Sequence, residues 1–261
     1  MRGEGGGNTL DPMELAMLAA GGFAAGVINT LAGGGSLITV GLLVFLGVPG
    51  TIANGTNRIG VLVQNVTSAW RFRAEGVSGF RSSLPVLLPT LVGSLLGAYG
   101  ISLVTPELFE RLFGLVMLGL LVPMMRPSLA PGPEEPAAED ERASWPPWLR
   151  VVVFFAIGLY GGALQAGVGI FLIFAVSRAG YDLVRANSIK AVVIAALTAV
   201  AVPVFIASDQ VMWSAAIALV VGFGLGGALG VRLAVVAGEK LIRPVLGASV
   251  MALAGRMLGL F

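Results

Sequence analysis

Twice in this chain an asparagine and a cation follow a break of glycines. Ala53-Asn54-Gly55-Thr56-Asn57-Arg58 comes after Ala32-Gly33-Gly34-Gly35, and Ala186-Asn187-Ser188-Ile189-Lys190 comes after Ala166-Gly167-Val168-Gly169. Gly47 and Ala53-Asn54 align with Gly180 and Ala186-Asn187 without a gap, and the glycine breaks align when one residue is skipped. Amide donors beside a cation suit an oxyanion, because charge-assisted hydrogen bonds replace its hydration. Bond-making chemistry has little to work with. Cysteine and histidine are both absent, which excludes thiol chemistry, disulfides, haem ligation through histidine and the usual zinc sites. No cofactor is called for.

The medium around these residues decides what they mean. The chain is 56% apolar and 11% charged, with a mean hydropathy of +0.92; an ordinary soluble domain is about 25% charged. Ser82 to Pro106 carries no charge, nor does Gln210 to Val231, and none lies between Glu14 and Arg58. A bilayer crossing takes about 20 mostly apolar residues, so the chain reads as an all-α polytopic membrane protein. A net charge of only +2 gives a nucleic-acid role no support. The expected partners are the bilayer and a small anion, with a homo-oligomer left open. Met1 to Pro12 lacks a basic n-region and an Ala-x-Ala site, so the segment from Glu14 reads as retained membrane helix, not a cleaved leader.

Five apolar segments are expected in each half, at 13–30, 35–47, 53–70, 82–104 and 108–126, then 149–162, 168–180, 186–207, 211–233 and 241–259. Residues 1–12 form a tail, 13–126 the first membrane repeat, and 148–261 the second. Between them 127–147 is rich in proline and acid, a composition that cannot bury a core and reads as a cytoplasmic linker. Cationic loops tend to stay in the cytoplasm. Arg71, Arg73 and Arg81 lie in the third-to-fourth connection of the first half, whereas Ala207 to Gln210 has no cation. The fourth-to-fifth connections reverse this: Ser102 to Glu110 has none, and the second half has Arg232, Lys240 and Arg243. Corresponding loops therefore fall on opposite sides, as two inverted-topology repeats require, with both termini outside. Arg111 and Arg256, near outer ends, run against this orientation.

The first two segments of each half are short or glycine-interrupted: Leu37 to Leu46 spans about half a bilayer, and Val151 to Ser177 is uncharged but broken at Gly161-Gly162 and Gly167-Val168-Gly169. Glycine-rich broken or re-entrant hairpins result, tolerated at membrane depth only where protein or a water-filled cavity surrounds them. Close packing is the other use of glycine in membrane helices. The candidate substrate-binding residues are Asn29, Gly33, Gly34, Gly35, Asn54, Thr56, Asn57, Arg58, Gln165, Gly167, Gly169, Asn187, Ser188 and Lys190. Arg58 and Lys190 lie inside apolar segments, where a cation marks a site or an ion path, or else snorkels to the headgroups. Asn54, Asn57 and Asn187 fall at expected helix starts, where unpaired N–H groups favour anions; simple N-capping is the alternative for Asn54 and Asn187. No Asp or Glu lies between Glu14 and Glu75, and beyond the linker the acids are Asp182, Asp209 and Glu239, all near segment ends. Arg178 and Asp182 are spaced for an interfacial ion pair. A carboxylate relay for protons and anionic ligands for metal cations are both missing.

At Gly26 to Gly35, at Ala53-Asn54-Gly55-Thr56-Asn57 and at the echo over 161–190, the chain resembles the TauE/SafE family of sulfite and organosulfonate exporters. The resemblance implies a multi-pass permease of the cytoplasmic (inner) membrane that carries sulfite, sulfoacetate or related sulfonates outward. Val168 departs from a usual glycine, Ile189 from a usual threonine, and Gly41 from a common proline. A permease for another small anion, or a membrane-embedded enzyme acting on lipid phosphates, is the competing reading; the enzyme needs an intramembrane acid or nucleophile beside the cation.

Overall fold

Asp11 opens the first helix. Its carboxylate accepts from the Glu14 N–H at 2.7 Å while Glu14 reaches back to the Asp11 N–H at 2.9 Å, a reciprocal cap with Pro12 in the first turn. The computed structural model describes residues 10–121, 146–238 and 240–241. Among them are nine helices and no strand: α1 (Pro12–Leu31), α2 (Gly35–Phe45), α3 (Gly50–Ala74), α4 (Phe80–Ser102), α5 (Pro106–Leu121), α6 (Pro147–Ala163), α7 (Val168–Ser177), α8 (Leu183–Ala207) and α9 (Trp213–Ala237). The all-helical membrane expectation holds. Helices α1, α4, α8 and α9 are long and apolar enough to cross a membrane. Leu88, Ile217 and Leu225 are exposed on their outer faces, as lipid-facing residues are.

Both halves are built on one plan. Helices α3 and α8 are each 25 residues long, about 37 Å, enough for a ~30 Å hydrocarbon core. They start at Gly50 and Leu183, and α4 and α9 start at Phe80 and Trp213, so one shift of 133 residues relates both pairs. Gly47 and Gly180 end the short helices with φ of 84° and 85°, a left-handed conformation that glycine adopts without a Cβ penalty.

The halves exchange partners. Helix α1 lies along α9, and α6 lies along α4, each pair in contact through glycines. A methyl at Gly22 would meet Leu219 and Gly222, and one at Gly26 would meet Phe223 and Gly226. In the other pair a methyl at Gly158 would lie 2.2 Å from the Thr90 carbonyl oxygen, and one at Gly162 2.0 Å from that of Ser94. In each pair the residue numbers rise together, so the paired helices run parallel. Spacing by four keeps these glycines on one stripe, the close-approach pattern of membrane helices. Helices α3 and α8 cross in the middle in opposite directions. The start of α3 meets the end of α8, where the Met212 N–H donates to Thr56 Oγ1 at 2.9 Å. The start of α8 meets the end of α3, where Ser188 Oγ donates to the Val77 carbonyl at 2.8 Å.

Several expected boundaries move. Helices α3 and α8 begin at Gly50 and Leu183, not 53 and 186, because Pro49 and Asp182 start them: the Ala53 N–H bonds to the Pro49 carbonyl and Asp182 accepts from the Arg185 N–H. Asp182 is thus a cap, and Arg178 lies over the Phe174 ring at 5.1 Å, so the expected ion pair is not formed. Residues 122–145, with nearly all of the linker, and the expected last segment beyond Leu241 lie outside the described residues.

Gly162→Ala is expected to force α6 off α4 and to cost about 1–3 kcal/mol, the usual size of an overpacking penalty. Gly100→Ala, where nothing lies within 4 Å, is its control. Thermal unfolding in detergent should show a clear drop for the first and little change for the second.

Candidate functional site: two reciprocal clasps

A helix that ends inside a membrane protein leaves carbonyls that water cannot reach. Helix α6 ends that way at Ala163, and the first half caps it. Arg58 Nη1 donates to the Gly161 carbonyl at 3.0 Å, Nη2 to the Ala163 carbonyl at 2.8 Å, and Asn54 Nδ2 to the same Ala163 oxygen at 2.9 Å. Asn54 and Arg58 are four apart, on one face of α3.

Helix α1 ends inside as well, and the second half caps it. Lys190 Nζ donates to the Asn29 carbonyl at 2.7 Å, the Thr30 carbonyl at 2.8 Å and Asn187 Oδ1 at 2.6 Å. Asn187 Nδ2 in turn reaches the Leu31 carbonyl at 3.4 Å and the Leu183 carbonyl at 3.1 Å. Each clasp is therefore a cation and an amide from the third helix of one half on the last turn of the first helix of the other. Cations are favoured there because helix C-termini carry partial negative charge.

Arg58 is 0% and Lys190 1% exposed, and their hydrogen bonds all go to groups inside the protein, which rules out snorkelling. The helix-start reading of the amides is also corrected. With α3 and α8 beginning at Gly50 and Leu183, Asn54, Asn57 and Asn187 sit beyond the first helical residues and cap neither helix. Asn54 and Asn57 bond to groups outside α3, and Asn187 bonds to α1 as well as to Leu183 and Lys190 of its own helix.

The two cations differ in what they have left over. All three Lys190 protons have acceptors. Arg58 lies over the Phe205 ring at 4.4 Å, and its buried Nε has no hydrogen-bond partner; nor does the buried Nδ2 of its neighbour Asn57. Asn57 Oδ1 is held by Thr39 Oγ1 of α2 at 2.6 Å. Unsatisfied buried donors are rare and call for a reason.

The glycine breaks meet between the clasps. Gly33 has φ of 89°, and a methyl on it would lie 2.5 Å from Gly169 backbone, while one on Gly169 would lie 2.5 Å from Gly33 Cα and 3.2 Å from the Lys190 side chain. Gly35 packs on α1, where a methyl would fall 2.2 Å from the Ala25 carbonyl oxygen. Gly34 caps α2 and Gly167 caps α7 with φ of 72°. Gln165 Nε2 donates to Thr198 Oγ1 at 2.8 Å.

Of the expected residues, Asn29, Asn54, Arg58, Asn187 and Lys190 are thus brought together as clasps, and Gly33 with Gly169 as the point of contact. Thr56 and Ser188 lie apart from them, tying loops at the ends of the α3–α8 crossing. Gln64 and Ser68, which bond with Asn29 and Thr30, and Asn65, which donates to Gln64, fall outside the expectation. Their signal was present in the spacing of polar residues three and four apart along α3.

The sequence profile described as "Sulfite exporter TauE/SafE" matches residues 18–257. The chain belongs to the TauE/SafE family. It is a membrane transporter with several helices able to cross a bilayer. A "probable membrane transporter protein ORF9" of Sinorhizobium sp is 26% identical over 94% of this chain and 92% of its own length. A probable membrane transporter protein of Haemophilus influenzae is 28% identical over 88% of this chain and 89% of its own. Another, YfcA of Escherichia coli K12, is 25% identical over 91% and 87%. No solved structure matches significantly. The names of this TauE/SafE protein's family and relatives are those of transporters, not enzymes.

Lys190→Met leaves the Asn29 and Thr30 carbonyls unpaired, at about 1–3 kcal/mol each. Its unfolding midpoint in detergent should fall well below that of the parent. An unchanged midpoint would remove the clasp from the fold's support.

Proposed function

We propose that this TauE/SafE protein is a secondary carrier of small oxyanions. Sulfite and sulfonates such as sulfoacetate are its substrate class, moved outward across the cytoplasmic membrane by alternating access between two inverted repeats. The observation that carries this reading is uncompensated positive charge. Among the described residues the buried charged side chains are Arg58 and Lys190, with no buried carboxylate beside them. Two helix C-termini supply roughly −0.5 charge each, so about one unit of positive charge is left over at the centre. A mobile anion completes that balance, and Arg58 Nε with Asn57 Nδ2 are the donors still free to receive it.

The division of labour follows from the hydrogen bonds. Lys190, fully occupied, positions α1; Arg58, with a donor to spare, meets the substrate. An anion competes with the α6 carbonyls for the guanidinium, so binding loosens one clasp while the other holds. Such differential contact is what a ligand needs to shift a conformational equilibrium. The antiparallel α3–α8 crossing and the shared 133-residue shift support the inverted arrangement. The cations Arg71 and Arg73 in the last turn of α3 and Arg81 in the first turn of α4 support a cytoplasmic position for that end of α3.

In proteoliposomes the parent is expected to show saturable sulfite flux. Arg58→Gln should cut it by about 10–100-fold, the equivalent of losing one charge-assisted hydrogen bond of roughly 1.5–3 kcal/mol. Correctly inserted Arg58→Gln that carries sulfite as fast as the parent would sink the assignment. Sulfate, thiosulfate and sulfonates in the same assay define the class.

A further inference from the structure

The chain's two halves share a backbone but not the chemistry of their long central helices. On α3, inward from the clasps, Gln64 Oε1 accepts from Asn29 Nδ2 at 2.6 Å and from Asn65 Nδ2 at 2.8 Å. Gln64 Nε2 donates to Thr30 Oγ1 at 2.8 Å and to Ser68 Oγ at 3.3 Å. All five residues are buried, and Asn65 Oδ1 has no partner. The facing stretch of α9 approaches through glycines: a methyl at Gly227 would lie 2.9 Å from Gln64 Cγ and 3.1 Å from Ser68 Oγ, and one at Gly230 2.8 Å from Thr30 Cβ.

One end of this chain of groups touches the α1 clasp, because Lys190 holds the carbonyls of the same Asn29 and Thr30. The other end adjoins a cavity of about 420 Å³ lined by Arg71, Glu75, Ala228, Val231, Arg232 and Val236. Arg71 is one turn beyond Ser68, and Ala228 is next to Gly227. The 133-residue shift places Leu197 opposite Gln64, Thr198 opposite Asn65, Ala201 opposite Ser68 and Val204 opposite Arg71. In the second half, then, the same packing position is filled mainly by apolar residues. The architecture needs no amide chain there to hold its helices together, so cohesion does not account for the one on α3.

We propose that Asn29, Thr30, Gln64, Asn65 and Ser68 are the substrate's passage between the clasps and the arginine-lined cavity. This inference rests on the permease reading and extends it to a route. Neutral amides and hydroxyls hydrogen-bond an anion without trapping it, as a path that must both admit and release its cargo requires. The cavity's two guanidiniums draw the anion to its mouth, and Glu75 keeps that mouth from binding too tightly. The lane is closed here. It opens when α9, which meets it through Gly227 and Gly230, moves away from α1 and α3. The outer half of the route, bordered by Leu197 and Ala201, has no such lane, so its gate is apolar.

The chain has no cysteine, so single thiols report water access without a background. Ser68→Cys and Ala201→Cys occupy equivalent positions in the two halves. In inside-out membrane vesicles, a small charged methanethiosulfonate should modify Ser68→Cys about tenfold faster than Ala201→Cys, because only the first opens to water. Gln64→Leu with Ser68→Ala, which installs the residues of the second half, should lower sulfite flux about tenfold in correctly inserted protein assayed well below its own unfolding midpoint. Equal modification rates, or an unreactive Ser68→Cys, overturn the lane even if the parent carries sulfite. Full flux in the double variant also overturns it. A reactive Ser68→Cys in a parent that moves no sulfur anion upholds the lane and discards the substrate reading instead.

Discussion

Helix ends inside a bilayer have no water to satisfy them, and this constraint shapes the centre of the molecule. Each unpaired backbone group in hydrocarbon costs several kcal/mol. Helices α1 and α6 both stop within the protein, and the carbonyls they leave are taken up by Lys190 with Asn187 and by Arg58 with Asn54. A cation is the strongest donor for this task and is itself costly to bury, so each half of the problem solves the other. Because each cap comes from the opposite half of the chain, neither half can complete its own broken helix. The clasps therefore join the halves more specifically than apolar packing does.

Around the clasps, glycine sets the distances. The α1–α9 and α4–α6 pairs bring backbone against backbone at Gly26 and Gly162, which positions the helix ends where the third helices can reach them. At the middle Gly33 and Gly169 touch directly. Any side chain there would separate the two breaks and draw Lys190 and Arg58 away from their carbonyls. Packing and capping are thus one device: the close approach makes the caps reachable, and the caps make the helix ends tolerable.

The scaffold is two-fold, but its chemistry is not. Lys190 is saturated and Arg58 is not; α3 carries amides and hydroxyls where α8 carries Leu197 and Ala201. In the carrier proposed above, that asymmetry would give the two sides different affinities for the anion.

Much of this was legible in the order of residues. Hydropathy decided a helical membrane protein, the repeat of Asn54 and Asn187 after glycine breaks marked the centre, and missing acids gave that centre its sign. Local physics suffices for these, since apolar length, glycine and charge act through near neighbours. What Arg58 and Lys190 bind was not legible, because Gly161 and Asn29 lie more than a hundred residues away in sequence and are brought in only by the exchanged helix pairs. The helix starts were misplaced by three residues, since Pro49 and Asp182 act as caps only once the chain turns there. The amide chain on α3 was visible as spacing but not as a connected hydrogen-bond network. The mainly apolar residues at the matching positions of α8 are readable in the sequence too, but only tertiary structure set the α3 chain against the glycines of α9.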